Sequence, residues 1–434
     1  MCALPASRAY RRLLAAQVIA LVGTGLATVA LGLLAYDLAG ARAGEVLGTA
    51  LAIKMVAYVG VSPLVGALAE RIPRRRLMVG ADLVRMLVVA GLPLVDSVWQ
   101  VYALIAVLQA ASATFTPVFQ SVLPDVLPAE RDYTAALSAS QIAVALENIA
   151  SPLLAAAALL VVGPSTLFLG TALAFVGSAL LVAGTRVPPA AASPRARFAD
   201  RLGAGVRIMV HTPRLRAVLA VNLVVASAGA ITLVSTVNVV RDVLGGSESA
   251  VALLLAVSGV GTAAAALLTP VWLSRWSERR VLLAGAVVAV AAVLAAVLLS
   301  LVPSGLLAGA VWLLVGAGTG TILVPIGRVL RSASAPADRP ALFAAQFSLS
   351  HACWLLTYPL TGWLGVAAGF TVTWALLGVL AVAAALTVRA CWPAGATTVL
   401  RHAHDETTAH GPSGVHVHHV VIDARHTRWP VPVP

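Results

Sequence analysis

Charge is what this sequence lacks most. Only 11% of its 434 residues are Asp, Glu, Lys or Arg, less than half of the roughly 25% that a soluble domain uses to cover its surface. A chain so poor in charge, and 60% hydrophobic, is not a soluble globular protein of this size. Acids are scarcer than bases, 17 against 29, and Lys54 is the single lysine. Cysteine is scarce too. Cys2, Cys353 and Cys391 have no framework spacing, so no disulfide scaffold is implied. No nucleophile, base and orienting group fall together, so an enzyme is not expected. No small-residue cleavage pattern follows the basic stub Arg8 to Arg12, so no removable signal peptide is expected.

What is present is a series of apolar runs of about 20 residues, each long enough to cross a hydrocarbon core of about 30 Å. They fall at 13–36, 46–69, 77–95, 99–123, 136–162 and 165–185, then at 214–240, 250–273, 280–302, 304–330, 341–363 and 368–391. Backbone amides in lipid must be satisfied within the segment, so each run is expected to be a helix. The predicted class is an all-α membrane protein of twelve transmembrane helices. The formal charge of +12 does not point to nucleic acid, because the arginines sit in short loops between the runs. With the N-terminus in the cytoplasm, the cytoplasmic loops hold Arg71, Arg74, Arg75, Arg76, Arg131, Arg275, Arg279, Arg280, Arg328, Arg331 and Arg339. The other side holds only Arg42 and Arg241. That asymmetry predicts a multi-pass protein with both termini cytoplasmic. Heavy use of Arg and Ala suggests a GC-rich bacterial genome, hence a bacterial inner (plasma) membrane.

The chain is expected to divide into a six-helix bundle over 1–185, a cytoplasmic linker over 186–213, a second bundle over 214–391 and a tail over 392–434 without regular structure. The linker carries Pro188, Pro189, Arg195, Arg197, Arg201 and Arg207. The halves repeat in sequence. Asp37 and Gly40 match Asp242 and Gly245 at an offset of 205, which also aligns the loops 68–77 and 273–282. At an offset of 208, Pro117 matches Pro325 and Pro-Ala-Glu-Arg (128–131) matches Pro-Ala-Asp-Arg (336–339). Parallel repeats of this kind place a transport path between the halves. The glycine groups Gly259/Gly261 and Gly316/Gly318/Gly320 lie inside membrane runs, where they serve helix packing and not nucleotide binding.

The loop after the second run reads Gly66, three residues, Glu70, Arg71, then Arg74 and Arg75. It resembles the signature loop of the major facilitator superfamily, departing from it with Glu70 for Asp and Pro73 for Gly. The stretch from Phe115-Thr-Pro117 through Leu123-Pro124 to Pro128-Ala-Glu130-Arg131 is similar to the multidrug and siderophore exporter branch. The resemblance implies the major facilitator fold, two pseudo-symmetric six-helix halves that rock about a central path. It also implies a cytoplasmic gate, here Gly66, Glu70, Arg71, Arg74 and Arg75, backed by Asp82 and Arg85 in the third span. Ionisable groups inside a span are costly and suggest function.

By the same resemblance the first, fourth, seventh and tenth spans line the path. Gln17, Thr24 and Thr28 make a polar stripe on span one, and Gln109, Ser112, Thr116 and Gln120 do so on span four. Asn222, Ser227, Thr232, Ser235 and Asn238 lie on span seven. Packing between helices explains the Ser and Thr residues at least as well, whereas Gln17 and Gln109 are read as path candidates. Lys54, Glu147, Asn148 and His351 stand at mid-depth and are the stronger candidates for the path and for proton coupling. Spans two and eleven pack together in this superfamily, which would make Lys54 and His351 neighbours.

Seven of the nine histidines lie in the tail: His402, His404, His410, His416, His418, His419 and His426. Imidazole is the commonest ligand for nickel, cobalt, zinc and copper. A facilitator with such a tail resembles bacterial nickel-resistance exporters, which adds His351 and the tail histidines as metal candidates. The function expected is efflux of a small solute by proton antiport, with a divalent transition metal, nickel or cobalt, as cargo. The alternatives are a multidrug or siderophore exporter and a non-transporting metal sensor. No resident cofactor is expected beyond the proton gradient and transient metal binding at the tail. The partners are the lipid bilayer and the cargo, not nucleic acid, and the chain is expected to be a monomer.

Overall fold

The computed structural model describes residues 7–39, 43–69, 71–159, 164–188, 198–246, 248–392, 399–403 and 415–419. In chain order its helices are α1 (Arg8–Ala39), α2 (Ala43–Leu68), α3 (Arg74–Gly91), α4 (Val98–Val126), α5 (Glu130–Leu159), α6 (Pro164–Ala183), α7 (Phe198–His211), α8 (Pro213–Asn238), α9 (Glu248–Leu273), α10 (Glu278–Leu301), α11 (Gly305–Ser332) and α12 (Arg339–Cys391). Helix starts follow local chemistry. Ser277 and Ser304 accept from the amides of Arg280 and Leu307, and proline opens α6 and α8, where its missing N–H costs nothing. Proline also lies inside α4, α9, α11 and α12, as membrane helices tolerate.

Twelve spans emerge among the described residues, because α12 is two spans end to end. Its limbs meet at Gly369, whose φ of 79° lies in the left-handed region, a conformation open to glycine at little cost. Eight of the helical segments are long and apolar enough to cross a membrane by themselves; α1, α2, α5 and the first limb of α12 complete the same bundle. Among the described residues, the loops and helix ends that hold Arg71 to Arg76, Arg131, Arg275 to Arg280 and Arg328 to Arg339 lie at one end, called here the arginine-rich end.

Two expectations need correction. The linker is not merely polar: α7 is an amphipathic helix with Ile208 and Met209 buried and Gly205 against the Ala341 carbonyl of α12. The tail, expected to lack regular structure, forms two strands, β1 (Val399–Ala403) and β2 (Val415–His419), paired antiparallel with His402 opposite His416 and Leu400 opposite His418.

The hydrophobic core is unevenly shared. One continuous cluster fills the second half, from Ile208 through Trp312 and Trp374 to Val388. A second cluster joins first-half residues such as Leu13, Phe119 and Tyr133 to Ala266, Leu273, Val281 and Val324 of the second half. Two smaller clusters complete the first half. The glycines behave as expected. A Cβ on Gly261 would meet the Leu313 carbonyl, one on Gly316 the Ser258 carbonyl and one on Gly318 the Ala289 backbone, so these glycines let α9, α10 and α11 cross closely. A groove of about 550 Å³ between α10 and the second limb of α12 is lined by Leu294, Val297, Val379 and Leu386 among others. It is apolar and holds none of the candidate path residues.

Candidate transport path and interhalf clasp

The halves meet at the arginine-rich end through two crossings that the repeat relates to each other. At the first, Asp125 lies in the last turn of α4 and Arg339 opens α12. Asp125 accepts from Arg74 of its own half at 2.6 Å through Oδ2 and from Arg339 of the other half through Oδ1. At the second, α11 ends near Arg328 and α5 begins on Glu130. Arg328 pairs with Glu130 across the halves, donates to Thr134 at 3.1 Å, and pairs with Glu278 of its own half at 3.2 Å. The polarity is reversed between the two. Glu130 at a helix start and Arg328 near a helix end both suit the helix dipole, whereas Asp125 at an end and Arg339 at a start oppose it and offset each other.

Tyr133 reinforces the second crossing. Its hydroxyl donates to the Gly327 carbonyl at 3.1 Å, and the Arg331 guanidinium lies over its ring at 5.1 Å. Between α2 and α12, Ser62 donates to the Ala344 carbonyl at 2.7 Å and Ser348 to the Val59 carbonyl. Burial follows the same line. Residues 341–348 of α12, Tyr133, Thr134 and Ala136 of α5, Ser62 and Val65 of α2 and Ala69 just after it are buried, while 352–356, 141–144 and 52–60 of the same helices are largely half-buried or exposed. The halves are therefore closed at the arginine-rich end and part toward the other.

Of the gate residues expected from sequence, Arg74 is in this clasp. Arg75 instead reaches the Ala183 carbonyl of its own half. Gly66 and Arg71 lie at the end of α2 and in the loop after it, and Glu70 lies outside the described residues. Asp82 and Arg85 do not belong to the gate. They pair with each other, Ser178 donates to Asp82 at 2.7 Å, and the Arg85 guanidinium is sandwiched at 4.6 Å from both the Phe115 and Phe175 rings. Every partner is in the first half, so rocking the halves leaves this buried group intact. Asp125, Glu130 and Tyr133 carry the clasp instead. The signal was present in the repeated Pro-Ala-acid-Arg segments, but only tertiary contact shows which charge crosses.

The mid-depth candidates do converge. Lys54 and His351 are joined through Tyr58: the Lys54 ammonium is 5.5 Å from the Tyr58 ring centroid, and the Tyr58 ring meets His351 edge-on at 4.8 Å. Phe347 packs on both rings, at 5.0 and 4.2 Å. Glu147 of α5 sits where Gly25 of α1 leaves room, beside Ser151, and within electrostatic reach of Lys54. Lys54 has no acid within 4 Å among the described residues. A cation at the bilayer centre costs about 2.5–3.5 kcal/mol on insertion scales, and a cation–π contact returns about 0.5–2 kcal/mol. The ring alone does not offset the charge, so Lys54 needs a countercharge or water.

Other candidates are less involved. Gln17 accepts from Ser140 at 2.9 Å, joining α1 to α5. Thr24, Thr28, Ser112 and Thr116 donate to carbonyls one turn back in their own helices. Gln109 is half-buried, and the Asn148 side chain lies outside the described residues. Span seven is packing rather than path: Asn222 and Gln346 exchange two amide hydrogen bonds of 3.1 Å while buried, and Ser227, Thr232 and Ser235 are buried.

The structure does not build a metal centre on His351. Its Nδ1 faces the Phe347 carbonyl at 2.7 Å, and the Cys353 thiol is turned to the Leu349 carbonyl. Among the described residues no group of three or more His, Cys, Asp and Glu is placed to hold a metal ion. Of the tail histidines, His404, His410 and His426 lie outside the described residues.

Comparison with known proteins agrees with this architecture. The family profile of the Major Facilitator Superfamily matches residues 13–242 and 218–409. No curated protein matches significantly by sequence. Among solved structures, the human organic anion transporter MFSD10 (TETRAN) superposes with a TM-score of 0.76 at 13% identity, covering 88% of this chain and 100% of that one. A bacterial homologue of the iron transporter ferroportin, in an outward-facing state with soaked iron, gives 0.72 at 13% identity, covering 88% and 99%. The proton:xylose symporter XylE bound to 6-bromo-6-deoxy-D-glucose gives 0.71 at 13% identity, covering 87% and 94%. At such identities these likenesses speak for the fold alone, but the profile spans most of the chain: this is a polytopic membrane protein that belongs to the major facilitator superfamily of transporters.

Proposed function

We propose that this secondary transporter is an exporter working by alternating access and proton antiport, with a small organic solute as cargo. The observation that carries the reading is the pair of breakable crossings at Asp125–Arg339 and Glu130–Arg328. They close one end of the path while side chains on the interface helices become accessible toward the other. With the arginine-rich end cytoplasmic, this is an outward-facing arrangement, and switching requires the crossings to exchange for contacts at the opposite end. Glu147, the acid at mid-depth nearest Lys54, is the group that supports proton coupling.

A metal cargo is the second reading. The His-rich tail favours it, as does the iron transport named for the ferroportin homologue. The surroundings of His351 weigh against it, since its neighbours are rings, a carbonyl and the field of a lysine. A non-transporting sensor would have no use for paired interhalf crossings of reversed polarity.

The test is transport by the purified full-length chain in proteoliposomes under an imposed pH gradient. Uphill movement of organic dyes with counterflow of protons, abolished in Glu147→Gln, is the expected result. Gradient-driven movement of nickel or cobalt with no organic flux would replace this cargo by the metal. Absence of any coupled flux, with the chain correctly inserted, would remove the transporter reading of the clasp.

A further inference from the structure

We infer that Lys54, with the ring platform of Tyr58, Phe347 and His351, is a binding site for a small organic anion that carries a flat apolar body. The inference rests on the reading of the chain as an alternating-access transporter and deepens it by naming the charge and shape of the cargo.

The position of the site comes first. The hydrogen bonds Ser62 to Ala344 and Ser348 to Val59 seal α2 against α12. Tyr58 and His351 lie just beyond that seal, and Lys54 one turn further from the arginine-rich end. All three are half-buried, whereas Ser62 and Val65 on the same face of α2 and Ala344 on that of α12, nearer the arginine-rich end, are buried. The cluster thus forms the floor of the cleft where the halves begin to part. A solute entering from the open end meets it before anything closed.

The chemistry comes second. Lys54 is the chain's only lysine, and its ammonium offers three donors. It has one face on the Tyr58 ring and no acid within 4 Å among the described residues. Glu147 reaches it only through space. An incoming carboxylate, sulfonate or phosphonate supplies the direct partner that Glu147 does not, and becomes the closer countercharge. The half-buried Tyr58 ring, backed at 5.0 Å by the buried Phe347 ring, presents an aromatic face for the apolar body. A divalent cation is disfavoured at the same place by the charge of Lys54. Tyr58 is a positioning residue, holding the ammonium at the floor of the cleft.

Two probes of the same shape separate charge from packing: 1-naphthaleneacetate and its neutral amide, 1-naphthaleneacetamide. Their binding to the purified full-length chain in detergent is measured by microscale thermophoresis at fixed ionic strength. The acid is expected to bind and the amide to bind at least tenfold more weakly. Lys54→Gln should weaken the acid by roughly 10- to 100-fold, as expected for loss of a charge-assisted hydrogen bond, and leave the amide unchanged. Lys54→Arg should restore much of the acid's affinity, which guards against a misfolded Gln variant. Glu147→Gln should tighten the acid several-fold by removing a competing anion. Equal affinity of acid and amide, unchanged binding of the acid to Lys54→Gln, or no binding of the acid to the unaltered chain would each overturn the site. Any of these found together with proton-coupled flux of other solutes would leave the exporter reading standing and remove only this inference.

Discussion

The two halves repeat each other in sequence yet stabilise themselves differently. The first half holds its charges inside: Asp82 and Arg85 are buried together, and Lys54 and Glu147 stand at mid-depth. Its apolar core is broken into separate clusters around them. The second half has one continuous core; its buried Arg214 donates to Ser332 at the arginine-rich end, and its polar links deeper in the bundle are neutral. Asn222 is bonded to Gln346, Trp312 donates to Thr236 at 2.9 Å and Trp374 to Ser235 at 3.4 Å. Gln346 comes from the first limb of α12 and Asn222 from α8, so these amides tie together elements of one rigid half. The difference separates two kinds of half: one is a packed frame that adds His351 to the mid-depth cluster, and the other holds the buried ion pair and both Lys54 and Glu147.

The largest expected effect breaks the first half from within. Asp82→Leu strands the Arg85 guanidinium between two rings with no carboxylate, and should cost about 3–5 kcal/mol. Thermal unfolding of the purified chain in detergent measures it. Asp82→Leu combined with Arg85→Met should recover most of the loss, because removing both charges also removes the desolvation penalty. A single variant as stable as the unaltered chain would erase the contrast between the halves.

A smaller loss is expected in the second half. Asn222→Ala leaves a buried Gln346 amide without its partner, at about 1–3 kcal/mol. The same unfolding assay should rank it below Asp82→Leu. The paired change Asn222→Leu with Gln346→Leu should come close to neutral, which it would not do if the amides lined a hydrated path.

The smallest expected effect touches neither core. Arg339→Gln removes the crossing to Asp125 while leaving the buried Arg74–Asp125 pair in place. Folding stability should hold, but the equilibrium between the two transport states should move by about tenfold, or roughly 1.4 kcal/mol. A cysteine placed at Leu137, buried in the clasp, reports this in a chain whose own cysteines are replaced by serine. Its labelling by a hydrophilic maleimide should speed up accordingly. Unaltered labelling would show that Tyr133, Arg328 and the serine seals suffice without Arg339.

How much of this was legible beforehand varied with the kind of contact. The Lys54–His351 neighbourhood was expected from the packing of the second and eleventh spans, and the structure adds the ring of Tyr58 that joins them. The gate was legible only as a motif. Arg74 is in the clasp, but Asp82 and Arg85 were assigned to it because buried charge suggests function, and their partners prove to lie in one half. Span seven was open to either path or packing from its residue types, and Asn222 and Ser235 each find a partner inside the core. In α7, Ile208 and Met209 mark a buried face that is easily passed over in a linker read for its prolines and arginines.

Hydropathy, the arginine loops and the internal repeat determined by themselves that this chain crosses a membrane in two matched sets of helices. The bilayer imposes a fixed apolar length on every span, and charge is confined to the ends. What the sequence did not determine is which charges cross between the halves, which stay within one, and where the cleft closes. Asp125 and Arg339 are far apart in the chain, as are Glu130 and Arg328. No local rule pairs them, and only the packing of α4 on α12 and of α5 on α11 brings each acid to its arginine.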